Sequence, residues 1–228
     1  MLYNVITDGE DVIYVPTTLG NILLVLVFLA FLGTAVFFAG KKAAPAGKRG
    51  KLTAKQLAFC AISIALGTVL SKIKLFEFPF GGSVTLLSML MICLPGYWFG
   101  PKAGLMTGIA HGILQLVIDP FIIHPVQLLM DYPLAFGTLG LSGLFSNAKN
   151  GLQKGLLTGI VGRWIFSSLS GWIFFKEYAW DGWHPFPYSF TYNGIYIFTE
   201  TAITFIIISI PYVKNAFARI KQLALESH

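Results

Sequence analysis

Apolar runs too long for the interior of a small soluble domain recur along this chain, and they constrain its fold more than any motif. A helix needs about 20 residues to cross the hydrocarbon of a bilayer. Runs of that order lie at about 19–39, 54–73, 84–99, 102–118, 126–146, 151–175 and 189–212. A membrane barrel would instead show short alternating segments, so closed helices are the way this backbone satisfies its own N–H and C=O groups in lipid. Composition agrees: with 55% hydrophobic residues, 11% charged residues and a mean hydropathy of +0.72, there are too few charges to cover a soluble globule of 228 residues. The expected fold class is an all-α integral membrane protein, a six-helix bundle preceded by one extra N-terminal transmembrane helix. Asp8, Glu10 and Asp11 precede the first run where a cleaved signal wants a positive start, so that run is read as an uncleaved helix.

Orientation follows from the lysines and arginines. Twelve of the sixteen fall on one side of a seven-span arrangement: Lys41, Lys42, Lys48, Arg49, Lys51 and Lys55 in the first connection, then Lys102, Lys149, Lys154, Lys214, Arg219 and Lys221. By the positive-inside rule that side is cytoplasmic, with the N-terminus outside and the C-terminus inside. The expected organisation is an acidic N-terminus and extra helix at 1–40, a basic cytoplasmic linker at 41–53, a six-helix substrate-binding domain at 54–213 and a cytoplasmic tail at 214–228, in a multi-pass protein of the cell membrane. The net charge of +6 then has a topological cause. It favours anionic lipid and argues for no nucleic-acid partner.

Within the six-helix unit small residues are spaced for helix packing. Gly100, Gly104, Gly108 and Gly112 recur every four residues, Gly155 and Gly159 begin a second such face, and Ala54, Ala58, Ala61 and Ala65 form a stripe that suits a helix of this chain or of another subunit. Cys60 and Cys93 fall in apolar runs and read as small buried residues. The chain carries no phosphate-binding Gly-x-x-x-x-Gly-Lys-Ser/Thr loop, no His/Glu zinc spacing and no nucleophile elbow. It is therefore expected to be no enzyme and to need no cofactor or metal. Uphill movement of a solute would draw on an ion gradient or a partner.

Ionisable groups inside spans are costly and call for a partner, a cavity or a function. Arg163 and Glu200 fall near the middle of theirs and are expected either to pair or, with His111, to line a polar path. Asp131 lies near the outer end of its span, level with a stretch from Tyr178 to Tyr192 that holds seven aromatics in fifteen positions. A carboxylate beside such a wall suits a flat heterocycle that is cationic or bears an amine, held by stacking and cation–π attraction. Asn193 follows inside the next run, where a buried amide needs a partner.

These residues resemble the S components of energy-coupling factor vitamin transporters, most closely their thiamine-specific branch, over roughly residues 52–213. The resemblance rests on Ala61-x-x-x-Ala65, Gly81-Gly82-Ser83-Val84, Gly100-Pro101-Lys102-Ala103-Gly104-Leu105, Asp131-Tyr132 and Arg163 with Ser170-Gly171. Above all it rests on Glu177-Tyr178-Ala179-Trp180-Asp181-Gly182-Trp183 with Tyr188-Ser189 and Asn193-Gly194. It implies a six-helix S-component fold that captures thiamine or a close relative from outside. It also implies an Ala61/Ala65 face docking on a transmembrane coupling subunit, with ATP hydrolysed by two further subunits. The implied substrate-binding residues are Asp131, Tyr132, Trp180, Trp183, Tyr188 and Asn193. Ser167 and Phe121 complete the set, but they stand where the branch commonly has histidine and tyrosine, and both remove polar groups from the site. A pocket so altered discriminates differently. Riboflavin, a pyrimidine precursor or a deazapurine is the alternative cargo, and a stand-alone ion-coupled carrier the alternative mechanism.

Overall fold

The computed structural model describes residues 3–8, 11–16, 19 and 52–226. Apart from Leu19, the span expected at 19–39 lies outside the described residues, as does nearly all of the basic linker. Strands β1 (Tyr3–Asp8) and β2 (Asp11–Pro16) pair antiparallel with Tyr3 opposite Pro16. Seven helices follow among the described residues: α1 Ala54–Ser71, α2 Ser88–Phe99, α3 Pro101–Ile118, α4 Pro125–Phe145, α5 Gly151–Phe174, α6 Pro185–Ser209 and α7 Pro211–Leu225. A small antiparallel hairpin, β3 (Lys74–Glu77) with β4 (Ser83–Thr85), joins α1 to α2.

Local chemistry explains where the helices begin. At α1, Thr53 forms a capping box: its hydroxyl accepts from Gln56 N at 3.2 Å, and its own N–H reaches Gln56 Oε1 at 3.0 Å. Helices α4 and α6 both start with a His-Pro pair. His124 Nδ1 accepts from Val126 N at 3.1 Å and His184 Nδ1 from Phe186 N at 3.2 Å, while Pro125 and Pro185 occupy a position whose N–H would be orphaned anyway. Two expected runs are redrawn by these signals. The run at 84–99 opens as strand β4 and turns helical only at Ser88, and that at 189–212 is helical from Pro185 and breaks before Pro211. The C-terminal stretch carries the helix α7, whose Phe217 and Ile220 pack on the core.

Helix α4 runs between α3 and α5, and glycines make both seams. A Cβ on Gly108 would strike the Phe136 carbonyl, one on Gly112 the Tyr132 carbonyl, and one on Gly140 the Gly104 backbone. On the other side Gly155, Gly159 and Gly162 leave room for Ser142, Leu139 and Thr138. The expected glycine ridge is therefore a helix-packing device whose partner is α4. Leu90, Ile92, Leu156, Ile160 and Ile197 form the buried centre. Cys60 and Cys93 are buried free thiols.

Among the described residues α1, α4 and α6 are each long and apolar enough to cross a membrane. Helix α5 has the length, with 24 residues, but its glycines, serines and Arg163 dilute its apolar character. The chain reverses at every turn from α1 to α6, so the molecule has two unlike ends. One carries the hairpin, the 119–124 loop and the 175–184 turn. The other carries α7 with Lys55, Lys102, Lys149, Lys154, Lys214 and Lys221.

Candidate functional site

Beneath the hairpin end lies a cavity of about 190 Å³, lined among others by Thr85 and Ser88, by Gln115 and Asp119 of the α3 end, by Phe136 of α4, by Arg163 of α5 and by Tyr196 and Glu200 of α6. Glu200 is 3% exposed. Its carboxylate accepts from Thr85 N at 2.9 Å, Thr85 Oγ1 at 2.6 Å, Ser88 Oγ at 3.2 Å and Met89 N at 3.1 Å. Leu87, the residue before α2, has a left-handed backbone with φ of 60° and offers no side-chain cap, so a carboxylate from α6 supplies the acceptor that α2 lacks at its N-terminus.

Arg163 and Glu200 do not pair. Ion pairs among the described residues join Lys72 to Asp119 at 3.5 Å and Lys74 to Glu77 at 2.6 Å, both with exposed side chains at the rim. Glu200 has its oxygens filled by four donors, whereas the Arg163 guanidinium lies over the Phe136 ring with its Cζ 4.3 Å from the centroid. Its buried Nε–H has no hydrogen-bond partner. His111 is likewise engaged, its Nδ1 3.3 Å from the Thr68 hydroxyl and its ring edge-on to Phe136 at 4.9 Å. Arg163 and His111 share the Phe136 ring, Arg163 and Glu200 line one cavity without bonding to each other, and Gln115 reaches from that cavity to His111 Nε2 at 3.4 Å.

Seven of the residues expected to bind substrate fall in two groups above this cavity, and the eighth, Ser167, lies on α5 beside the Tyr196 phenol. Asp131 sits in a wide-turn π segment of α4, Met130–Leu134, with Pro133 inside it. Such segments loosen the helical ladder and recur at functional sites. Gln127, 1% exposed, donates to Asp131 Oδ2 at 2.7 Å and to the Phe121 carbonyl at 3.0 Å. The Tyr132 hydroxyl accepts from Phe121 N at 2.8 Å and donates to the Asp119 carbonyl at 3.0 Å. Asp131, Tyr132 and Phe121 are thus held as one unit, and the Phe121 ring projects outward.

The second group is built on α6 and the turn before it. Trp180 meets both Trp183 and Tyr188 edge-on at 5.1 Å, and Tyr188 stacks on Tyr192 at 5.7 Å. The Tyr192 hydroxyl accepts from Gly82 N at 2.9 Å and donates to the Pro79 carbonyl, which ties the hairpin to α6. Asn193 Oδ1 accepts from the Tyr196 hydroxyl at 2.6 Å, and its amide donates to the Ser189 carbonyl at 2.9 Å. Tyr196 in turn lines the cavity.

A column of rings joins the groups. Phe121 stacks on Phe175 at 5.8 Å, Phe175 on Tyr178 at 5.9 Å, and Tyr178 on Phe80 at 4.6 Å. The column roofs this end of the molecule and draws on three separate loops. None of the eight expected binding residues is itself among those that line the cavity. Asn193 meets it through Tyr196, and Tyr132 through Asp119. Sequence reasoning missed Gln127, Tyr196, Phe136 and Gln115; Gln127 and Tyr196 left local traces, four residues before Asp131 and three after Asn193 on one helical face.

Comparison with known proteins is consistent with this geometry. Residues 57–219 match a family model described as thiamine transporter protein (Thia_YuaJ). The chain is 34% identical over 169 residues to the thiamine transporter ThiT of Bacillus subtilis (strain 168), an alignment that spans 67% of this chain and 88% of that protein. It is 26% identical over 140 residues to ThiT of Lacticaseibacillus paracasei, across 56% of this chain and 68% of the relative. A solved structure of ThiT from Listeria monocytogenes superposes with a TM-score of 0.59 at 28% identity, covering 68% of this chain and 91% of that one. The resemblance read from Asp131-Tyr132 and the aromatic stretch is thereby established at the level of family, and the family is one of transporters, not enzymes. This chain is a helical membrane protein that belongs to the thiamine transporter protein family.

Proposed function

We propose that the chain is the substrate-capture subunit of an energy-coupling factor transporter and that it binds thiamine. The observation that carries this reading is the placement of Asp131 beside an aromatic roof at the end of the bundle opposite the basic end. The thiamine cation and its aminopyrimidine need a carboxylate and flat apolar surface together. In this reading Asp131 faces the positive ring, Trp180, Trp183 and Tyr188 form the wall, and Asn193 with Tyr132 directs hydrogen bonds. Phe121 contributes a ring where a hydroxyl is absent, and Ser167, beside the Tyr196 phenol, a short polar contact.

The basic end faces the cytoplasm on the positive-inside rule, so the roofed end opens outward and the C-terminus lies inside. Release to the cytoplasm requires a transmembrane coupling subunit and two ATP-binding subunits. Ala54, Ala58, Ala61 and Ala65 support such a partner, because all four are exposed on α1 and leave a smooth strip facing away from the bundle. The test is a fluorescence titration of purified protein in detergent. Saturable tryptophan quenching by micromolar or lower thiamine is expected, and its absence would sink the assignment.

A further inference from the structure

Asp131 brings the negative charge to the aromatic roof, and where that charge points depends on a neighbour. A carboxylate on a short stem still turns about χ1 and χ2. Asp131 stands on Met130–Leu134, the stretch of α4 where a π turn with Pro133 inside it loosens the helix, so the backbone beneath it is a less regular base than an α-helix would be.

Gln127 supplies the constraint. It lies one helical turn earlier on the same face and is 1% exposed. Its amide is fully used: Nε2 donates to Asp131 Oδ2 at 2.7 Å and to the Phe121 carbonyl at 3.0 Å, while Oε1 accepts from Ile123 N at 3.2 Å. Turned over, the amide would set its oxygen against a carboxylate and a carbonyl and its hydrogens against an N–H, so these partners fix its orientation. The bond to Asp131 has the length of a charge-assisted hydrogen bond. Gln127 is not among the residues that line the cavity, and its amide is spent on Asp131 and the loop. It reaches a ligand only through what it holds.

We infer that Gln127 is the positioning residue that gives the site its preference for a cationic ring: by holding one oxygen of Asp131 it aims the carboxylate at the ligand without touching the ligand itself. This rests on the thiamine reading above. A carboxylate already held in place meets a fixed positive charge with little further ordering, whereas a neutral ring of the same shape gains only stacking. The same amide anchors Phe121, whose ring stacks on Phe175. One buried side chain therefore sets both the charge and one end of the roof.

The test measures, by tryptophan fluorescence of the full chain in detergent, affinity for thiamine and for its thiophene isostere, in which a neutral ring replaces the cationic thiazolium. Wild type is expected to hold thiamine roughly tenfold or more tighter, the scale of one charge-assisted contact. Gln127→Met keeps the length of the side chain without the donor and should lower that preference by about five- to tenfold, through weaker thiamine binding with the isostere little changed. Gln127→Asn, which leaves the amide one methylene short of Asp131, is expected to act alike and carries the test where the Met variant fails to fold. In an Asp131→Asn background the Gln127 substitution should cost thiamine less than about twofold, because the charge it aims is gone. Equal binding of the two ligands by wild type refutes the inference without any variant. Equal loss of both ligands in the Gln127 variants, or the same thiamine loss with and without the Asp131 charge, makes Gln127 a packing residue and refutes it too, while thiamine capture stands. Binding of neither ligand by wild type overturns the thiamine reading and this inference together.

Discussion

Glu200 on α6 takes both polar hydrogens of Thr85, the backbone N–H at 2.9 Å and the hydroxyl at 2.6 Å, across 115 positions of sequence. The same carboxylate reaches Ser88 and Met89 and so closes the N-terminus of α2 from another helix. One buried acid therefore joins the hairpin, α2 and α6. It is a joint of the fold at the floor of the cavity.

Glu200→Gln is expected to destabilise the protein. The substitution replaces a carboxylate oxygen that accepts hydrogen bonds with an amide that donates, so one or two buried donors lose their acceptor at about 1–3 kcal/mol each. Thermal unfolding followed in detergent should show a clear fall in Tm. An unchanged Tm would mean that α2 is capped in some other way.

Asp131→Asn removes the negative charge and keeps the volume. Gln127 can still donate to the side-chain oxygen, so stability should change by well under the effect at Glu200. Thiamine affinity should fall by roughly ten- to a hundredfold, the range of a lost charge-assisted contact. Calorimetric titration separates the two effects, and full affinity in the Asn variant would remove Asp131 from the site.

Trp180 is 41% exposed and touches Trp183 and Tyr188 by ring edges. Trp180→Ala should leave Tm within a degree or two yet weaken thiamine binding about three- to tenfold, since an aromatic pair contributes about 0.5–1.5 kcal/mol beyond its buried area. Equal affinity by equilibrium dialysis would show that this ring is only an interfacial anchor.

Gly140→Val tests the seam between α3 and α4. Any Cβ at this position overlaps the Gly104 and Leu105 backbone, which has no rotamer to yield. Separation of the helices is expected to cost about 1–3 kcal/mol or more. Poor recovery of monodisperse protein, with Gly140→Ala intermediate, is the outcome to look for in size-exclusion profiles.

Ala61→Trp and Ala65→Trp alter a face that the bundle does not use. Thiamine binding by the isolated chain should be retained, whereas uptake by cells that supply the coupling subunit and ATPases should fall sharply. Normal uptake with a Trp at both positions would move the docking face elsewhere on the protein.

Much of this architecture is legible without coordinates because its causes are local. Length and apolarity of a run decide whether a helix can satisfy its backbone in lipid, and Gly104, Gly108 and Gly112 announce a close helix contact by spacing alone. The Asp131-Tyr132 pair and the aromatic stretch before Asn193 likewise carry the family signal in their own order. The His-Pro starts of α4 and α6 were legible in principle, since His124 and His184 cap the very helices that Pro125 and Pro185 open.

What only the tertiary structure decided is which partner each polar group found. Sequence spacing allows Arg163 and Glu200 to pair, yet Thr85, Ser88 and Met89 fill both oxygens of Glu200 with four hydrogen bonds, and Arg163 lies over Phe136 instead. The column from Phe121 through Phe175 and Tyr178 to Phe80 is equally invisible in sequence, because its rings come from three loops. Helix formation is settled by neighbours a few residues away. Burial of a charge is settled by whichever donors the packed helices bring within about 3 Å, and that depends on the whole fold at once.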